Sequence, residues 1–182
     1  MSREITPTTE FFNTHACSGQ LLSFRIGNMS KVRRLDEVAI FNQRLSFLIP
    51  HEWIEVDSGD VGTYLYQLPD PPPGWFRVSL VTTKGVANPV ERLRQLFSES
   101  GNVEVNETTE NLIRRSEKDT VEDGYRLHIY YWFIGGCVAP DMVCEAVFSY
   151  TVLADWLDRD ETQSEVRLLN QLVGKARFNA VE

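Results

Sequence analysis

Six short runs of alternating apolar and polar residues set the fold class of this chain: 40–49, 61–68, 76–83, 109–118, 125–134 and 143–153. Side chains on a strand point alternately to its two faces, so each run buries one face and wets the other. Gly, Pro and Asp bound the runs, as turn residues bound strands. The runs come in two groups of three, and a helical pattern follows each group. In the first helix Asn88 caps, Pro89 takes the first helical position, Glu91 completes a capping box and Gly101 ends the segment. Val90, Leu93, Leu96 and Phe97 form its apolar stripe. The second helix runs from about 160 to 176 and buries Val166, Leu169, Leu172, Val173 and Ala176. Asp158, Asp160 and Glu161 stand at its positive end, Lys175 and Arg177 at its negative end.

The order βββαβββα groups strands and helices instead of alternating them singly. It favours an antiparallel sheet of about six strands packed with helices, an α+β domain, over a doubly wound parallel sheet. A chain of 182 residues is long enough to bury roughly 70% of its unfolded surface in one such domain. Residues 1–36 stand apart, being polar, rich in Arg and Lys and without a sustained period. We read 1–36 as an N-terminal extension or arm and 37–182 as a single α+β domain.

Charge and hydropathy narrow the function classes. A net charge of −8 argues against a nucleic-acid surface, which needs clustered Lys and Arg. No apolar run approaches the ~18 residues of a membrane-spanning helix, and the N-terminus lacks a basic start followed by an uninterrupted apolar stretch. The expectation is a cytoplasmic protein that binds neither nucleic acid nor membrane. Three cysteines make no disulfide framework. Cys137 and Cys144 flank the loop "VAPDMV" and in a reducing compartment read as small buried apolar side chains.

Catalytic and metal motifs find little support. His51-Glu52 begins like a zinc-protease helix, but Glu55 stands where the second His is required. His15, His51 and His128 are widely separated, and no Cys pair has zinc spacing. Neither Ser18 nor Ser58 has the flanking glycines of a nucleophile elbow. The carboxylates between Glu99 and Asp123 read as a solvated face. "LPDPPPGW", 68 to 75, reads as a stiff connection between strands with Trp75 folding back on the sheet. No cofactor and no metal are expected, and the chain is read as a non-enzyme.

The strands offer a candidate binding surface. In 125–133 the odd positions Tyr125, Leu127, Ile129, Tyr131 and Phe133 form a continuous apolar face, read as directed toward the helices. The even positions Arg126, His128, Tyr130 and Trp132 mix aromatic and polar groups. In 143–152 Cys144, Ala146, Phe148, Tyr150 and Val152 take the buried side, leaving Glu145, Val147, Ser149 and Thr151 opposite, where Arg77, Ser79, Val81 and Thr83 join them. The expected binding face therefore comprises Arg77, Val81, His128, Tyr130, Trp132 and Val147, with the aromatic-plus-polar character of protein interfaces. The competing reading buries these aromatics under a helix or the N-terminal arm.

The stretch "RLSFLIPHEWIEV", 44 to 56, completes the reading. A strand "LSFLIP" followed by "HEW", a hairpin strand "TYLYQLP", a strand "FRVSLVT" and a closing amphipathic helix ending "GKARF" resemble the PsbP-like (Mog-type) α/β/α fold over roughly residues 38 to 178. Its bacterial DcrB-like branch includes the Eag chaperones of secreted toxins. Pro50, Trp53 and Pro69 match structural positions of that fold. The resemblance implies protein binding without chemistry: an adaptor or chaperone whose partner is another protein, with a homodimer as a further expectation. Two alternatives stand beside it. One is a toxin-neutralising immunity protein. The other is a small-molecule-binding protein or hydrolase with a pocket between sheet and helices, using His128 or Asp141.

Overall fold

Phe41, Asn42 and Gln43 hold positive φ angles of 54°, 56° and 63°, and this left-handed turn cuts the run 40–49 in two. Alternation reports which face is buried and is blind to φ, so one continuous strand was the sequence expectation. In the computed structural model, residues 17–26, 29–60, 62–68, 74–98, 103–105 and 111–179 are described, with side chains from 33 onward outside 103–105. The chain runs β1 (Cys17–Ile26), β2 (Met29–Ile40), β3 (Leu45–Pro50), β4 (Ile54–Val56), β5 (Thr63–Gln67), β6 (Trp75–Lys84), α1 (Pro89–Ser98), β7 (Val103–Val105), β8 (Leu112–Glu122), β9 (Tyr125–Ala139), β10 (Met142–Leu153), α2 (Asp160–Val173) and β11 (Arg177–Phe178). All strand pairs are antiparallel. The class is α+β, and the two groups of three strands, each followed by a helix, are present. Shorter strands join them, and the strands divide between a four-stranded sheet, β1-β2-β3-β11, and a seven-stranded sheet, β4-β5-β6-β10-β9-β8-β7.

β2 crosses the boundary read between arm and domain: its residues Leu35–Ile40 pair with β3. Leu35 is fully buried with Leu48, Leu168 and Leu172. β3 is buried along its whole length, which accounts for its near-continuous apolar sequence. Phe47 lies edge-on to Tyr66, Phe76 and Phe148 at centroid distances of 6.0, 6.4 and 5.4 Å. Trp53 stacks on Tyr150 at 6.3 Å and meets Phe76 edge-on at 5.5 Å, closing one end of the core as the sequence reading places it. Such aromatic pairs add roughly 0.5–1.5 kcal/mol each beyond their buried area.

The two helices pack against opposite faces of the seven-stranded sheet. On the inner face, Val166, Leu169, Val173 and Ala176, following Val173, join β3 and the aromatics of β6, β9 and β10 in one cluster. On the outer face, Leu93 and Phe97 of α1 cover Val143, with Leu112 and Phe133 beside them. Gly135 makes this docking close: a Cβ there would stand 2.7 Å from the Phe97 ring and 2.8 Å from Leu93.

Several sequence expectations are corrected. Val90 is 53% exposed and lies outside the buried stripe of α1. α2 ends at Val173 without a basic residue in its last turn, because Arg177 and Phe178 leave to pair with Ser46 and Leu45. Cys137 is exposed and Cys144 buried, and both are free thiols. They sit on opposite faces of the sheet, since Cys144 is paired with Gly136 and Cys137 with Val143. Gly101 and Pro69 lie outside the described residues.

A candidate binding groove on the outer sheet face

The site follows from cross-strand register. β9 and β10 leave their turn with Ala139 opposite Met142, but the next pair is Cys137 opposite Val143. Val138 is the extra residue of a β-bulge, and one extra residue exchanges the two faces of everything beyond it. Tyr131 consequently stands beside Ser149, and Ser149 beside Arg77. Trp132 stands beside Phe148, and Phe148 beside Val78.

The six residues nominated from sequence thus divide between two faces. Arg77, Val81 and Val147 lie on the outer face, which they share with the odd positions of β9. His128, Tyr130 and Trp132 lie on the inner face, together with Phe148, Tyr150 and Val152. The odd positions were expected to face the helices: Phe133 does lie beside α1, but Tyr125, Leu127, Ile129 and Tyr131 line the groove beyond it, and it is Tyr130 and Trp132, at even positions, that enter the inner cluster with α2. Trp132 is 2% exposed, donates from Nε1 to Asn170 Oδ1 of α2 at 2.8 Å, and stacks with Tyr130 at 6.3 Å. Tyr130, also buried, has its phenol pKa raised, by burial first and by Glu117 and Asp158 in lesser degree.

His128 belongs to the same inner face. Its Nδ1 is 2.7 Å from Asp119 Oδ1, its Nε2 is 3.6 Å from Glu117 Oε2, and its ring meets Tyr130 edge-on at 4.6 Å. Asp141 lies at the far end of β9, in the turn before β10. Some eleven residues separate it from His128 along the strand, about 35 Å at ~3.4 Å per residue. The two do not share a site.

Beyond the end that α1 covers, the outer face holds an open groove of about 570 Å³. Its residues form rows across the strands. Leu65, Arg77, Ser149 and Tyr131 make one row, and Trp75, Thr151 and Ile129 the next. Leu153 and Leu127 follow, and Tyr125 with Glu122 and Asp123 close the far end. Leu127 and Ile129 are buried in the floor, while Trp75 is 37% exposed. The guanidinium of Arg77 has no ion-pair partner among the described residues. A guanidinium flanked by apolar side chains can take a carboxylate through two parallel hydrogen bonds. At the covered end Arg114 lies over the Phe133 ring at 3.8 Å, and Phe133 stacks with Tyr131 at 5.9 Å, so the groove's wall is fixed by neighbouring contacts.

The sequence nominated Arg77 for this surface but missed Leu65, Trp75, Leu127, Ile129, Tyr131 and Leu153. The odd positions of β9 did carry a signal, an unbroken apolar face, and it was read as directed toward the helices. Among the described residues no helix is long and apolar enough to cross a membrane.

No protein-family model matches the sequence, and no curated protein matches it. Among solved structures the fold is similar to that of a Bacteroides thetaiotaomicron protein at 20% identity and a TM-score of 0.49, over 75% of this chain and 46% of that one. The chain thus spans about half the length of that relative. It is also similar to the Ran-binding protein Mog1p of Saccharomyces cerevisiae, at 12% identity and a TM-score of 0.47, over 81% of this chain and 97% of that one. A third likeness is to cyanobacterial PsbP from Synechocystis, at 12% identity and a TM-score of 0.35, over 85% of this chain and 98% of that one.

Proposed function

We propose that this chain is a non-catalytic, cytoplasmic protein-binding domain, an adaptor or chaperone of the bacterial DcrB-like and Eag-chaperone type, and that it holds its partner in the outer groove. The observation that carries this reading is the apolar-floored groove holding Arg77, which has no ion-pair partner among the described residues. Interfaces draw most of their energy from a few aromatic and Arg residues beside a desolvated apolar floor. Trp75 and Tyr131 supply the aromatics and Arg77 the guanidinium. Tyr130 and Trp132, nominated from sequence, support the site from behind, as core. Residues 1–36 serve in this proposal as an arm attached to the domain through β2.

The test is capture of the partner from the host's own lysate by the tagged chain, by a Trp75→Ala, Arg77→Glu double variant, and by a Val90→Ser control altered on the exposed side of α1. One stoichiometric protein, retained by the control and lost from the double variant at unchanged thermal stability, supports the reading. Equal capture by all three overturns the groove as the site.

A further inference from the structure

Resting on the groove as the partner site, we infer that its occupant is a short extended segment with an acidic residue at one end, a basic residue at the other, and apolar side chains between. Two features of the groove carry this inference: it is charged at both ends, with opposite sign, and largely apolar along the middle. Arg77 supplies the positive end, and Glu122 and Asp123 the negative end. None of the three has an ion-pair partner among the described residues. Between them lie Ile129, Leu153 and Leu127, which offer no hydrogen-bonding side chain, with Thr151 and Trp75 in the row of Ile129 adding one hydroxyl and one indole N–H.

The spacing sets the length. The row of Arg77 contains Tyr131, and the far end contains Tyr125. Six residues of β9 therefore separate the two ends along the strands, about 20 Å at ~3.4 Å per residue. Arg77 on β6 stands three strand spacings from Glu122 on β8, about 14 Å at ~4.8 Å each, so the diagonal between them is about 25 Å. An extended ligand of seven residues covers about 20 Å of it, with its two end side chains and the long Arg77 side chain closing the rest and alternate side chains directed at the floor. Its first, third, fifth and seventh side chains then meet Arg77, two apolar positions and the acidic end in turn. A helical ligand would need about 13 residues at 1.5 Å each to span the same distance, and it is wider than one strand. Opposite charges in the groove also set what it excludes. A segment acidic at both ends meets Glu122 and Asp123, and one basic at both ends meets Arg77.

The experiment uses the full chain and three capped heptapeptides with leucine at the third and fifth positions and serine at the even ones. One peptide carries aspartate and arginine at its two ends, one aspartate at both, and one arginine at both. Binding is read by fluorescence anisotropy at low and at physiological salt. The mixed-charge peptide binds tightest, by roughly fivefold over either of the others, the effect of one partly exposed charge pair. Arg77→Glu makes the doubly basic peptide the best ligand, and the double variant Glu122→Lys, Asp123→Lys makes the doubly acidic one the best. A rank order that stays the same in both variants overturns the inference. So does the absence of binding by all three peptides at millimolar concentration. If partner capture still depends on Trp75 and Arg77 in either case, the groove stands as the site and its occupant has other chemistry.

Discussion

Trp132→Ala separates a core residue from a contact residue. Trp132 is 2% exposed in the inner cluster and hydrogen-bonds Asn170 at 2.8 Å. Burying an indole removes up to ~250 Å² from water, roughly 6 kcal/mol at ~25 cal/mol/Å². Alanine keeps part of that burial, and measured aromatic-to-alanine costs in cores fall at about 3–5 kcal/mol. The lost hydrogen bond adds about 1 kcal/mol at most, because half-buried Asn170 can turn to water. The working figure is about 4 kcal/mol, a large share of a typical ~5–15 kcal/mol of total stability. For a domain of this size it lowers the melting temperature by roughly 8–16 °C. The assay is urea unfolding followed by circular dichroism, comparing midpoints at an unchanged slope. Val81→Ala, on an outer-face residue 57% exposed, is the reference and moves stability by no more than about 0.5 kcal/mol. A Trp132→Ala variant that loses less than about 1 kcal/mol while abolishing partner capture would falsify the assignment of Trp132 to the core and return it to the interface.

Three further outcomes follow from the structure. Gly135→Ala drives a methyl to within 3 Å of Phe97 and Leu93; overpacking of this kind costs about 1–3 kcal/mol, and amide exchange in α1 should speed up more than exchange in α2. Asp123 and Gly124 turn the β8–β9 hairpin at φ 50° and 83°, with open space around Gly124, so Gly124→Val costs about 1 kcal/mol or more through backbone strain alone, read from the urea midpoint. Burial raises the phenol pKa of Tyr66, with Glu55 adding to the effect, and burial followed by Glu165 raises that of Tyr150. The folded state therefore holds both phenols neutral, a contribution fully present below the unfolded value of about 10 and lost as pH rises above it. Alkaline titration at 295 nm should show these two of the six tyrosines ionising only as the fold opens; ionisation of all six near pH 10 with native circular dichroism would contradict their burial.

Period and punctuation in the sequence determined the class of this fold. The runs that became β5, β6, β8, β9 and β10 alternate because a sheet buries side chains two residues apart, and the apolar residues of α2 are buried as their helical spacing requires. Trp53 was legible for the same local reason: an indole just past a strand-ending proline has only the core's end to fill. Within β10, and for Arg77 and Val81 on β6, even the division between faces was read correctly, because one face of β10 is wholly apolar, from Cys144 to Val152, while the other carries Glu145, Ser149 and Thr151. In β9 both faces are apolar or aromatic, so the strand's own pattern does not say which side is inward. That choice belongs to the register with β10. A tight turn pairing Ala139 with Met142 puts Trp132 on the same face as Ser149; the bulge at Val138 puts Tyr131 there instead. A single residue of register turned His128, Tyr130 and Trp132 into core and left Leu127, Ile129 and Tyr131 as the wall and floor of the groove. Whether that surface is open also depended on where α1 comes to rest, over Gly135 at the other end of the sheet. Local chemistry therefore determined which residues can form a strand, and tertiary pairing alone decided which of their two faces meets a partner.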